Sequence, residues 1–218
     1  VTDLRADSAF ARAAEIAAQG IAKFPRNARL YLFKAQNERS AGQLPAAKAS
    51  LDRALEVDPK IAGANMLKAQ LCYDMGDFAC TAASVKADVA ADASNKERDA
   101  AFLLGYGSTL YKKGVESKKA EDYKKAIPLI QASDEIAPSA NAKFLLAVSA
   151  FQALAAGSAD LQKSKNCQDY KDANDLLTLV NVNMPAGGSV DPNTAKQILG
   201  AAPQFQAFID GSIKKYCK

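Results

Sequence analysis

Between residues 7 and 24, apolar side chains recur in steps of three and four, at Phe10, Ala13, Ile16, Ala17, Gly20, Ile21 and Phe24. Positions three and four apart share one face of an α-helix, so this segment predicts an amphipathic helix. The same reading predicts helical hairpins over 28–57, 62–92, 96–137 and 140–183. They are separated by proline-centred stops, FPRN at Pro25, VDPK at Pro59, IAPS at Pro138 and NMPA at Pro185, because proline lacks an N–H and disfavours helix in the residue before it. After a turn rich in Gly and Pro, Asp191 and Pro192 read as the cap and first position of a further helix, expected to break at Pro203 and resume to Cys217.

The stops are periodic. Pro25 to Pro59 is 34 residues, and Pro59 to Ala93 is 34 again. Twelve residues before each stop lies a small residue: Ala13, Ala47, Thr81, Ala126 and Ala173. A second ladder pairs Ala35 with Gly42, Ala69 with Gly76, Gly107 with Gly114 and Ala150 with Gly157, always seven apart. The first of each pair lets two helix backbones approach, and the glycine is placed to end the first helix in a left-handed conformation. The spacing from that glycine to the next small residue grows from five to twelve after Gly114 and to sixteen after Gly157. Insertions are therefore expected in those two turns.

A 34-residue unit with small residues at two helix contacts and a proline near its end resembles the tetratricopeptide repeat, over about residues 8–185. The large early position of that motif is Tyr31 in one unit and Asn65 in the next. The resemblance implies an all-α fold, an α-solenoid of antiparallel hairpins in a right-handed superhelix with a C-terminal capping or docking helix. One domain over 1–218 is expected, with a half repeat 7–25, repeats 28–59, 62–93, 96–138 and 140–185, and a helical segment 191–217. It further implies a non-catalytic interaction or assembly scaffold.

Composition agrees with helices at close range, since aromatics reach only 7% of a chain that is 49% hydrophobic. A net charge of +4 from 28 basic and 24 acidic residues does not build a nucleic-acid face. No stretch approaches the roughly 18–20 consecutive apolar residues of a membrane span. Val1-Thr2-Asp3 opens no basic and apolar leader, so any export signal is expected to have been removed or to lie outside these residues. Histidine is absent and no CxxC occurs, which argues against zinc and against the commonest general base. Phosphate loops and cofactor fingerprints are absent too, so no enzyme activity, metal or cofactor is expected. Cys72, Cys80, Cys167 and Cys217 read either as two disulfides, Cys72 with Cys80 and Cys167 with Cys217, or as buried thiols. The first reading places the chain in an extracellular or periplasmic compartment.

The seven-apart ladder also selects the face of each first helix that would line a groove for an extended or helical apolar peptide. Those residues are Leu32, Gln36 and Arg39; Met66, Gln70 and Tyr73; Leu104, Ser108 and Tyr111; and Phe144, Phe151 and Leu154. The alternative is that the last helix folds back and fills the groove with its own apolar side. The lysine-rich stretch 112–125 reads as a solvated, mobile insertion or as a surface steering an acidic partner. Finally, the helix at 7–24 lacks a first-type partner, and the trailing helix stands where a first-type helix would follow. Phe10, Ile16 and Ile21 at the head and Phe205, Phe208 and Ile209 at the tail are expected either to join copies head to tail into a filament or to mark a chain cut from a longer parent. The expected partners are thus protein or peptide, including other copies of the chain.

Overall fold

A computed structural model describes residues 4–187 and 189–217, excepting the side chains at 4–7 and 186–187. The leader positions Val1, Thr2 and Asp3 and the turn residue Gly188 lie outside the described residues. All regular structure among the described residues is helical, and helices adjacent in sequence pack on one another within each of two units, residues 1–95 and 96–218.

The first unit holds α1 (Leu4–Lys23), α2 (Ala28–Ser40), α3 (Leu44–Val57), α4 (Ala64–Asp74) and α5 (Phe78–Ala91), followed by a 3₁₀ turn at Ala93–Asn95. Local chemistry sets these boundaries. Asn27 caps α2 by accepting the Arg29 N–H, and Asp77 caps α5 by accepting that of Cys80. Gly42 and Gly76 take φ of 73° and 78°, and their N–H groups return to the carbonyls of Arg39 and Tyr73, closing α2 and α4 at the predicted glycines. Small residues then set the spacing: Ala35, Ala47, Ala54, Ala69 and Thr81 have no exposed surface, and Leu51, Leu67 and Leu71 fill the space around the close contacts. Each such leucine contributes roughly 1.5–3 kcal/mol by leaving water. Between α2 and α3 the buried Glu38 is satisfied by Lys34 Nζ at 2.5 Å and Ser50 Oγ at 2.6 Å, an arrangement that a carboxylate in the interior requires.

The second unit holds α6 (Lys96–Ser117), α7 (Ala120–Ile136), α8 (Ala140–Lys163), α9 (Cys167–Gly187) and α10 (Pro192–Tyr216). Here the structure corrects several expectations. The insertions do not lengthen the turns; they lengthen the helices, and only Lys118 and Lys119 separate α6 from α7. Gly114 and Gly157 therefore lie inside α6 and α8 and end neither. Gly114 is required for another reason, because a Cβ there would meet the Tyr123 ring at 2.6–2.9 Å. Gly107 likewise faces Ile130, whose Cγ1 would stand 2.5 Å from an added Cβ. The chain instead reverses at Lys118, a non-glycine residue with φ of 56°.

Proline also proves a weaker stop than the pattern suggests. Pro203 lies within α10 and Pro185 within α9. Pro203 points outward, while Ile198, Ala202 and Ile209 on the opposite side of α10 are buried. Their burial offsets the backbone hydrogen bond that proline cannot make. By length and composition α8 is long and apolar enough to cross a membrane, a property it shares with core helices of soluble proteins. Its apolar side chains are taken up within the fold: α8 packs between α7 and α9, with Leu146, Ala147, Val148, Ala150 and Ala153 buried.

Candidate functional site

In the first unit, α2 runs beside α4, and Arg39 ties them together. Its Nε donates to Asp74 Oδ2 at 2.6 Å and its Nη1 to Gln70 Oε1 at 3.0 Å. Gln36 lies one turn before Arg39, and Met66 and Tyr73 lie one turn to either side of Gln70, so helical spacing places all five on one stripe. Gln36 is exposed, Met66, Gln70 and Tyr73 are half-buried, and the Tyr73 ring meets Phe78 edge-on. Leu32 differs from its expected role. It is a core residue at 9% exposure, since it lies among Ala28, Leu51 and Leu67. Asp74 belongs to this face and was missed, because the ladder spacing selects residues at fixed offsets and Asp74 lies one position beyond Tyr73.

In the second unit, Leu104, Ser108 and Tyr111 on α6 and Phe144 and Phe151 on α8 are half-buried, while Leu154 is core at 3%. Ser108 turns its hydroxyl back to the Leu104 carbonyl at 2.7 Å, so it offers no free donor. Tyr111 leans on Tyr123 with ring centroids 5.8 Å apart. Burial, with Tyr123 adding to it, raises its phenol above the usual tyrosine range, which keeps it a neutral hydroxyl. Phe205 of α10 packs edge-on against Phe151 at 5.8 Å, and the body of α10 rests on α9. The last helix thus follows α9 as α4 follows α3, touching the first helix of the preceding hairpin. That contact covers Phe151 and leaves the α6 stripe uncovered by α10.

Of the residues expected to join copies, Phe10 and Ile16 are exposed at 39% and 60%, Ile21 is half-buried, and Phe208 is exposed at 37%. Phe205 is engaged with Phe151, and Ile209 is fully buried because α10 turns that side to the unit's interior. Ile209 therefore presents no surface to another copy.

The cysteines stand at disulfide distance in two pairs. Cys72 and Cys80 have Cα atoms 5.7 Å apart across the α4–α5 turn, and Cys167 and Cys217 have theirs 4.9 Å apart, joining the start of α9 to the end of α10. Both pairs are compatible with an oxidising extracellular or periplasmic environment. Around the second pair, Tyr170 is buried between Phe208 and a stacked Tyr216, and its hydroxyl donates to the carbonyls of Leu161 and Ser164. At the other end of α10, Asp191 accepts from the backbone of Asn193 and Thr194 and from the Thr194 hydroxyl. The Thr194 hydrogen bonds hold its carboxyl below the ordinary aspartate range. A depressed folded value means the cap is intact above the unfolded value of about 3.9 and is lost as pH falls through the folded one. Protection of the Asn193 and Thr194 amides, taken relative to the intrinsic exchange rate at each pH, is expected to fall only below about pH 4, and a loss already complete at pH 5 would contradict this.

The lysine-rich stretch spans the end of α6 and the start of α7, with only Lys118 and Lys119 outside the helices. Lys124 pairs with Glu121 and Lys125 with Asp122 across the first turns of α7. Beside it lies a concavity of about 500 Å³ in which Lys118, Lys119 and Lys124 face Asp160, Asp169 and Asp172, so its charges largely compensate. A second concavity, of about 1150 Å³, lies in the first unit between the α1–α2 and α3–α4 turns. The FPRN and VDPK segments that form it read in sequence only as helix stops. Among the described residues no group of three or more acidic or cysteine side chains is placed to hold a metal. No protein-family model matches the chain, and no curated protein matches it either.

Proposed function

We propose that the chain is a non-catalytic protein-interaction scaffold of tetratricopeptide type, an α-solenoid of hairpins ended by α10, which takes polypeptide on its first-helix faces in an oxidising compartment. The observation that carries this reading is the stripe across α2 and α4. Arg39, Gln70 and Asp74 tie the two helices side by side, with Gln36 and Met66 on the same face and Tyr73 packed against Phe78 at its end. Such a surface offers amide donors and acceptors beside apolar side chains, which suits an extended or helical peptide. The α6 stripe with Leu104 and Tyr111 adds a more apolar stretch of the same kind. The test is selection of binding peptides from a random library by the full chain, with affinities then compared across variants. Tyr73→Lys and Tyr111→Lys are expected to weaken selected peptides by about tenfold, roughly the loss of one anchoring side chain. A library that yields no binder, or binders indifferent to both substitutions, would defeat the reading.

A second reading is favoured by Ile16, an isoleucine 60% exposed on a helix that packs mainly on α2. In it the chain is a structural subunit whose head, with Phe10 and Ile16, meets the tail of another copy near Phe208. Sedimentation over a wide concentration range would reveal growing species that Ile16→Lys removes and Tyr111→Lys leaves intact. A constant monomer mass would exclude it.

A further inference from the structure

The α1–α2 and α3–α4 turns enclose a groove whose floor is apolar, made by Leu32, Val57 and Ile61. Phe24 stands at its edge and is 62% exposed, although it is large, apolar and on an ordered turn. The order has visible causes. The Asn27 N–H donates to the Phe24 carbonyl, Tyr31 donates its hydroxyl to the Pro25 carbonyl at 3.1 Å, and Asn27 caps α2. The opposite turn is equally fixed, with the Lys60 N–H on Asp58 Oδ1 at 3.0 Å and Gly63 in the left-handed region at φ 84°. Phe24 is therefore held out into solvent by its surroundings, and a partner that covers it meets little ordering cost.

The rim carries Lys23, Arg26, Arg29 and Lys60, all exposed, against the single carboxylate of Asp58. None of the four cations forms an ion pair or side-chain hydrogen bond with a described residue. Elsewhere in the same unit Lys34, Arg39, Lys48 and Arg53 are each paired with a carboxylate. Unpaired charge of one sign around an apolar floor selects a partner of the opposite sign that also carries an apolar anchor.

We infer that this groove docks an acidic peptide segment, in which an aromatic or large aliphatic side chain packs on Phe24 and the Leu32–Ile61 floor while flanking carboxylates meet Arg26, Arg29 and Lys60. The site lies at the turns of the first unit and not on the α2–α4 stripe, so it stands or falls separately from that surface. The apolar floor and Phe24 distinguish it from a site for duplex nucleic acid, which is held through its phosphates, and a single strand that stacks its bases on Phe24 is separated by the test.

The test uses the full chain, titrated into a fluorescent peptide with a central Phe flanked by Asp and Glu, and into a copy with Asn and Gln for the acids. The acidic peptide is expected to bind at least about tenfold more tightly than the neutral one and to weaken with salt. Phe24→Ser and the double charge reversal Arg26→Glu with Lys60→Glu should each cost about tenfold, whereas Tyr73→Lys should cost nothing. All three altered groove positions are exposed, and far-UV circular dichroism verifies that the variants keep their helices. Equal binding of the neutral peptide, or of the charge-reversed protein, overturns the inference. So does a single-stranded oligonucleotide that binds as tightly as the acidic peptide, whether or not Phe24→Ser weakens it, which would make the rim a nucleic-acid or general polyanion surface. Loss of binding on Tyr73→Lys together with indifference to the groove variants would overturn it while sparing the α2–α4 reading.

Discussion

Replacing both Cys167 and Cys217 with serine is expected to cost about 4 kcal/mol of stability, the largest loss available from any one pair of substitutions considered for this chain. The magnitude follows from the 50 residues that the link encloses, since closing a longer loop removes more freedom from the unfolded chain. The corresponding change at Cys72 and Cys80, only 8 residues apart, should cost about 2.5 kcal/mol. The place of failure should differ as well. With Cys217 untied, α10 keeps its contacts to α9 and the Phe151–Phe205 pair, so its amides should lose exchange protection before those of α8 and α9. Denaturant titration of the double variant, followed by hydrogen exchange, reads both effects. An unchanged midpoint would mean that the two sulfurs are not joined in solution.

Two alanine substitutions in α6 should move stability in opposite directions. At Gly114 the new methyl would sit 2.6–2.9 Å from three atoms of the Tyr123 ring, which is buried and rigid. Overpacking of this kind costs about 1–3 kcal/mol and exceeds the roughly 1 kcal/mol that alanine gains over glycine within a helix. Gly105 lies in the same helix with nothing within 4 Å of an added Cβ, so Gly105→Ala should keep the whole propensity gain. Gly105→Ala should therefore be stabilising by about 1 kcal/mol and Gly114→Ala destabilising, and since the propensity gain is common to both, the two chemically identical changes should differ by the overpacking cost, about 2 kcal/mol. If both were stabilising, α6 and α7 would not approach as closely as the structure has them.

Much of the helical order was legible because it rests on local signals. The starts at Asn27, Asp77 and Asp191 and the ends at Gly42 and Gly76 are each settled by a few neighbouring backbone groups. What misled the reading were residues whose meaning depends on a distant partner. Gly114 looks like Gly42 in the sequence ladder, yet one faces a tyrosine ring and the other turns the chain. Pro203 looks like Pro59, but α10 buries enough surface on its opposite side to carry the helix through. The candidate surfaces divide the same way. Periodicity located the stripe of Gln36, Arg39, Met66, Gln70 and Tyr73, whereas it could not tell that Leu32 and Leu154 are core or that Phe24 is displayed. Exposure of a single side chain depends on turns that bring residues 24 and 61 to one groove, and no spacing rule encodes that.

The packing of each helix on its sequence neighbours has a consequence for how the molecule is made. Contacts of short sequence separation need little chain in hand, so hairpins such as α2 with α3 can set as soon as both halves have emerged during synthesis. The Cys167 to Cys217 pair is different, because its second sulfur emerges 50 residues after its first. Until then Cys167 waits as a thiol, so an oxidation that fastens α10 can follow only once both α9 and α10 have emerged.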